Sequence, residues 1–245
     1  MAVQYSFGKI VTDGLVLALD AADRNSYVSG STTWRDVSEN NNSGSLVNGP
    51  TFNSGNGGSI VFDGVDDYVD CGNNSSIQVT SAITVDCWFK AGTVGNSTTA
   101  AAKSNGQVNG WTVQLRGATN EWRFWVNFGA NTLGNGSNNG WYYASYPRNW
   151  NDGLWHNFVG IWDGSTKTVK LYIDSNQGTF NAGGAPSGES SNFNNYNGSV
   201  VLGRETDAVN FYNGNTANFK IYNRALSASE VLQNYNAQKS RFGLT

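Results

Sequence analysis

Apolar and polar side chains alternate with a period of two through much of this chain. Residues 82–90 are the clearest case. Ile83, Val85, Cys87 and Phe89 fall on one side, and Thr84, Asp86, Trp88 and Lys90 on the other. Alternation of that length predicts a strand with one face on a core. Segment 111–116 repeats it with Trp111, Val113 and Leu115 inward. Segment 121–128 repeats it again, with Trp122, Phe124, Val126 and Phe128 alternating with Arg123, Trp125 and Asn127. Leu15, Leu17 and Leu19 give 15–20 one apolar face, and Trp34 is expected to pin the polar loop that follows. Shorter runs at 46–47, 59–62, 68–69, 141–146, 155–163, 168–174, 199–202 and 216–222 read as further strands. Asp63-Gly64 and Asp163-Gly-Ser-Thr166 are hairpin turns between such runs.

The period changes near the end of the chain. Ser227-Ala-Ser-Glu230 has the spacing of a capping box, in which the serine oxygen and the glutamate carboxylate each take a free backbone N–H. Val231, Leu232 and Tyr235 then give a short helix an apolar face, expected to pack against one end of the body. Many short strands, glycine-rich turns and one short helix predict an all-β fold. It is an antiparallel β-sandwich of jelly-roll type with one short C-terminal helix. Residues 1–13 read as an N-terminal arm, 14–239 as a single domain and 240–245 as a C-terminal tail.

Composition narrows the function classes. The 245 residues include 30 glycines, 3 prolines and 9 tryptophans, and only 13% are charged. This describes a β protein with long polar loops, since a disordered chain would lack the aromatics. The net charge is −3, and no Lys/Arg cluster offers the basic footprint that nucleic acid requires. No apolar run is long enough to insert into a membrane. Met1-Ala-Val-Gln-Tyr-Ser-Phe7 has neither the basic start nor the apolar core of a signal peptide, so the expectation is no secretion by that route. Cys71 and Cys87 are the two cysteines. Cys87 is in phase with core positions, which suits a buried thiol, and a disulfide between the two is the alternative.

Three groups of residues carry candidate chemistry. Asp63, Asp66, Asp67 and Asp70 crowd one turn. That is either a solvated Asp/Gly turn or a set of oxygen ligands for a hard cation. Trp88, Arg116 and Trp125 are expected together on the outward face of neighbouring strands, and Trp141, Tyr143, Tyr146 and Trp150 border the loop 129–140. Aromatic faces with nearby polar groups suit a sugar ring, and the same residues suit a core or a partner surface. His156 is the one histidine, and no Gly-x-Ser-x-Gly surrounds a serine, which argues against a Ser-His-Asp triad.

Phe62-Asp-Gly-Val-Asp-Asp-Tyr-Val69 resembles the signature hairpin of laminin-G-like domains of the concanavalin A-like lectin/glucanase superfamily. Gly14-Leu-Val-Leu-Ala-Leu-Asp-Ala-Ala22 resembles that family's first strand, and Trp155-His156 with Trp162-Asp-Gly-Ser-Thr166 and Val169-Lys-Leu-Tyr-Ile-Asp174 its late hairpin. Phe219-Lys-Ile-Tyr-Asn-Arg-Ala-Leu-Ser227 with Glu230 resembles its last strand and closing helix. The resemblance implies a β-sandwich. It also implies calcium at Asp66 and Asp67, with Asp20 nearby. The acidic pair such domains often carry before the last strand's motif is here Ala217 and Asn218, which lowers the ligand charge. Sandwich glucanases of the superfamily carry Glu-x-Asp-x-x-Glu on one strand. None of Glu39, Glu121, Glu189, Glu205 and Glu230 begins that pattern, so no catalytic residue is assigned and the chain is expected not to be an enzyme.

The start at 8–20, the stretch 222–235 and the ending Arg241-Phe-Gly-Leu244 together resemble laminin-G-like proteins of tailed bacteriophages, cyanophages among them. That resemblance implies a virion protein assembled in the host cytoplasm, decorating the capsid or forming a tail or fibre component. Its partners would be capsid or tail subunits, further copies of itself as a homo-oligomer, and host cell-surface glycans. The alternative is a free calcium-assisted carbohydrate-binding module. Trp88, Arg116, Trp125, Trp141, Tyr143 and Trp150 are the expected sugar contacts in either case.

Overall fold

The computed structural model describes residues 9–92, 97–105, 109–128, 141–148, 152–180 and 191–245. In chain order the strands are β1 (Leu15–Asp20), β2 (Thr33–Trp34), β3 (Gly44–Val47), β4 (Thr51–Asn53), β5 (Ser59–Asp63), β6 (Tyr68–Asp70), β7 (Ala82–Ala91), β8 (Thr98–Ser104) and β9 (Gly110–Arg116). There follow β10 (Glu121–Asn127), β11 (Trp141–Pro147), β12 (His156–Asp163), β13 (Thr168–Ile173), β14 (Asn176–Gln177), β15 (Thr179–Phe180), β16 (Val201–Leu202) and β17 (Asn213–Tyr222). The helix α1 is Ala228–Gln238, continued by a 3-10 turn at Lys239–Phe242.

Two antiparallel sheets face each other. The first runs β14-β13-β12-β7-β17-β5-β4, with β1 also paired to β17. The second runs β15-β11-β10-β9-β8-β16-β6-β3-β2. The inward positions read from the alternation meet between them: Ile83, Val85, Cys87 and Phe89 against Trp111, Val113, Trp122, Phe124 and Val126, all buried in one cluster. Phe89 and Trp122 have ring centroids 4.1 Å apart. Gly160 in β12 is required here, because a Cβ would run into the Phe124 ring. Trp34 is fully buried against this core, with Tyr27 edge-on to it at 6.4 Å. Cys71 and Cys87 are both buried and free.

The second layer of packing was not expected. Helix α1 lies over the outer face of the first sheet rather than at an end of the sandwich. Val231 joins Val11, Val159, Ile161, Tyr172, Tyr222 and Leu226 in a separate buried cluster. Leu232 is 47% exposed, and the helix turns Asn234 inward instead. Beneath the helix, Asp86 accepts hydrogen bonds from Asn157 Nδ2 and Asn234 Nδ2, both at 2.9 Å, and Lys220 Nζ lies 3.8 Å away. Buried charges persist when paired and hydrogen-bonded in this way.

The segment beyond the helix is part of the body, not a free tail. Phe242 stacks on Trp88 with centroids 4.2 Å apart, and Tyr235 stacks on the same indole at 5.7 Å. Arg241 Nη1 bonds Asp20 Oδ1 at 2.8 Å. At the other terminus, Val11 N–H donates to Asn234 Oδ1 at 2.8 Å, so residues next to the first strand are fastened as well. Among the described residues, no helix is long and apolar enough to cross a membrane.

Candidate functional site

The outward face of the second sheet carries the candidate site. The alternation that sends Trp122, Phe124 and Val126 inward leaves Glu121, Arg123 and Trp125 outward on β10. Register then sets their neighbours. Trp125 is opposite Tyr143 on β11 and Thr112 on β9, Arg123 is opposite Gln114, and Glu121 is opposite Arg116. Facing positions on adjacent strands bring aromatic side chains into contact. The Trp125 and Tyr143 rings are 4.3 Å apart, tilted by 38°. The Arg123 guanidinium lies 4.4 Å from the Tyr143 ring centre and 5.1 Å from that of Trp125. It is also ion-paired with Glu121. Cation–π contacts of this kind contribute about 0.5–2 kcal/mol each. The result is a half-buried cluster of planar groups, held by strand backbone rather than by loops.

A loop after β16 adds a carboxyl to the same face. Glu205 Oε1 accepts from Gln114 Nε2 at 3.2 Å and from Thr99 Oγ1 at 3.3 Å. Burial pushes this carboxyl above its usual range. Arg204 beside it donates to the Glu205 and Thr206 carbonyls and lies 4.0 Å over the Tyr68 ring. Gln114 was legible from its outward phase on β9. Glu205 was not, because it belongs to a loop, where no periodicity indicates which sheet face it meets.

The expected residues separate into three sets. Arg116, Trp125 and Tyr143 share the face. Trp88 does not: it belongs to the other sheet and is fully buried between Phe242 and Tyr235, so it cannot touch a ligand. Its outward phase was read correctly, but the helix and the chain end cover that face. Trp141 lies on β11 with its Cα opposite Asn127. Its side chain and Trp150 lie outside the described residues.

The aspartate turn is compact. Oxygens of Asp63, Asp66 and Asp67 lie within 4.8 Å of one another, with Asp63 and Asp66 exposed and Asp67 buried. Burial, opposed by the Asp63 N–H and reinforced by the neighbouring carboxylates, raises Asp67. Asp63 Oδ1 accepts from Val65 N at 2.8 Å, and Asp67 Oδ2 accepts from Asp63 N at 3.1 Å, so the turn uses its own carboxylates as caps. Calcium takes six to eight oxygens. Asp20, expected as a further ligand, is held by Arg241 instead. The donor type fits calcium, but the described residues do not complete its shell.

His156 is also committed. Its Nδ1 lies 2.7 Å from Asp174 Oδ2, and its Nε2 lies 3.3 Å from both Asp152 oxygens, a bridge between two carboxylates.

Two packed antiparallel sheets of this kind form a jelly-roll β-sandwich. The model of a laminin-G-like family, described as the concanavalin A-like lectin/glucanases superfamily, matches residues 63–232, and the chain belongs to that family. No curated protein matches it in sequence. Among solved structures it is similar to the binding domain of Paraclostridial Mosquitocidal Protein 1, at 16% identity and a TM-score of 0.69, covering 92% of this chain and 52% of that one. It is similar to domain 4 of an extracellular arabinanase from Geobacillus stearothermophilus in complex with arabinotriose. There the identity is 18% and the TM-score 0.63, with 91% and 98% covered. The binding domain of Botulinum Neurotoxin DC in complex with SialylT matches at 12% identity and a TM-score of 0.68, covering 93% and 52%. The chain thus spans about half the length of the toxin binding domains it matches. These likenesses establish the jelly-roll fold.

Proposed function

We propose that this chain is a non-catalytic carbohydrate-binding module whose ligand lies on the Trp125–Tyr143 face of the second sheet. One observation carries the reading: two aromatic rings 4.3 Å apart, partly exposed, with the Arg123 guanidinium over them and the Gln114 amide and Glu205 carboxyl on the same sheet face. A ring stacks on the apolar side of a sugar, while amides, carboxyls and guanidinium groups take its hydroxyls. Rigid strands hold these groups in place, which lowers the ordering cost of binding. Two similar folds were solved with arabinotriose and with SialylT, which supports a saccharide ligand here. A non-catalytic role is supported by the use of the face's carboxyls, since Glu121 is ion-paired with Arg123 and Glu205 is hydrogen-bonded to Gln114 and Thr99.

The test is titration calorimetry of the full chain against a glycan panel that includes arabinotriose. Binding by at least one glycan, weakened about tenfold or more by Trp125→Ala, is the expected result; tenfold corresponds to about 1.4 kcal/mol. A panel without binding, or binding indifferent to Trp125→Ala and Tyr143→Ala, would overturn it. Release of reducing sugar from a polysaccharide would overturn the non-catalytic part.

We also propose that the module is carried on a tailed-phage virion, on the capsid surface or in a tail fibre, as a homo-oligomer. The support is the sequence motif set at 8–20, 222–235 and 241–244. Immunogold labelling of purified particles is expected to place it at regular positions. Unlabelled particles with the protein free in the lysate would leave the free carbohydrate-binding module as the better reading.

A further inference from the structure

Arg116 stands apart from the other half-buried arginines of the described chain. Arg123 has Glu121 and two aromatic rings. Arg204 has two carbonyls and the Tyr68 ring. Arg224 has Glu230 and Asp13, and Arg241 has Asp20 and two carbonyls. Arg116 is half-buried at the end of β9 on the candidate face, with its Nε shut away from solvent and no acceptor for it. Among the described residues, no ion pair or hydrogen bond holds its guanidinium. The carboxylate directly across from it, Glu121, is already committed to Arg123. Glu205, the other carboxyl of the face, is bound by Gln114 and Thr99.

Buried Nε atoms without an acceptor also occur in Arg123 and Arg204, but those guanidinium groups have other partners, whereas a guanidinium that has neither a carboxylate nor a carbonyl is a good receptor. Its planar fork accepts a carboxylate through two parallel hydrogen bonds, and such charge-assisted pairs are stronger than neutral ones. We infer that the ligand of this face is an acidic oligosaccharide whose carboxylate is taken by Arg116 while a neighbouring sugar ring rests on Trp125 and Tyr143. The inference rests on the carbohydrate-binding reading above and adds the ligand's chemical class. The spacing suits it. Arg116 and Thr112, the β9 residue facing Trp125, are four positions apart on one strand. That is about 13 Å along the sheet, the reach of a short oligosaccharide rather than of one ring. Uronic and sialic acids share the carboxylate, and the experiment separates them.

Titration calorimetry with the full chain compares trigalacturonic acid with its methyl ester, and 3′-sialyllactose with lactose. At low salt, at least one acid is expected to bind about tenfold tighter than its neutral counterpart, equivalent to about 1.4 kcal/mol. Which pair shows the difference identifies the acid. In Arg116→Gln the ratio is expected to fall to about one, while Arg116→Lys, which keeps the charge without the fork, keeps part of it. Matching melting temperatures establish that the variants fold. Acid and neutral forms binding equally to the unmodified chain would overturn this inference alone, as would a preference that survives Arg116→Gln. No binding by any of the four would overturn this inference, and the reading it rests on falls with it only when the wider panel, arabinotriose included, also fails to bind.

Discussion

Asp86 has no exposed surface, and its charge is met by Lys220 at 3.8 Å and by the amides of Asn157 and Asn234. Removing one partner of a buried pair leaves the other charge uncompensated, at a cost of about 3–5 kcal/mol. Asp86→Ala is therefore expected to lower the urea midpoint by that equivalent, and Asp86→Ala with Lys220→Met to recover part of it. Additive losses in the double variant would show that the pair is not coupled. Two positions along the same strand, Trp88 fills the space between Phe242 and Tyr235. Trp88→Ala is expected to cost about 3–5 kcal/mol of stability, read by urea unfolding, with glycan affinity unchanged. A tenfold loss of affinity in a folded Trp88→Ala protein would put this residue back in the binding site. Trp88 and Trp125 show how far residue-level reading reaches. Both are outward in their strands, and alternation reports that correctly. Whether an outward residue meets solvent depends on what later crosses the sheet, and the segment that buries Trp88 lies about 150 residues away.

At the scale of elements, the local codes worked wherever the signal was local. The capping box at Ser227 and Glu230 formed as spaced: Ser227 N–H donates to Glu230 Oε2 at 2.8 Å, and Glu230 N–H to Ser227 Oγ at 3.3 Å. Arg224 adds two further bonds to the same carboxylate, at 3.0 and 2.6 Å. Glu230→Ala thus removes a cap and an ion pair together, and is expected to cost about 1–2 kcal/mol. The location of the helix was not legible. Val231, Leu232 and Tyr235 suggested its apolar stripe; Val231 is buried and Tyr235 stacks on Trp88, but Leu232 is exposed and Asn234 and Ala237 complete the packed face. An asparagine on that stripe reads as polar surface until Asp86 and Val11 N–H are seen beneath it. The candidate face was legible on β9 and β10, where alternation is strict. It was not legible in the loop that supplies Glu205, whose contacts are long-range. Deleting residues 239–245 is expected to uncover Trp88 and loosen Asp20. A red shift in tryptophan emission and a lower melting temperature would follow, and an unchanged spectrum would mean that the stack with Phe242 does not form.

For the whole molecule, stability should depend on pH through several groups, of which Glu230 acts on the acid side and His156 above its usual 6.5. The Arg224 guanidinium beside Glu230 holds its carboxyl down to about 2, against a usual 4.5. A carboxyl lowered by folding contributes stability that is present above the unfolded value and lost as pH falls toward the folded one. Burial alone would lower His156, but the Asp174 hydrogen bond and the charges of Asp174 and Asp152 outweigh it and raise the imidazole above its usual 6.5. A histidine raised by folding contributes stability that is complete below the unfolded value and lost as pH rises through the folded one. These two groups place the greatest stability between 4.5 and 6.5 with a decline on both sides, and Glu205 and Asp67, raised by burial, oppose the acid decline. Lys103 opposes the alkaline decline. Burial pushes its ammonium from 10.5 down to about 8, so the unfolded chain keeps the proton longer and this group's penalty fades across that interval. Urea midpoints from about pH 3 to about pH 9 would trace the profile. Glu230→Gln should flatten the acid limb and His156→Gln the stretch just above 6.5. An alkaline decline that persists in folded His156→Gln would remove the Asp152–His156–Asp174 bridge as its cause.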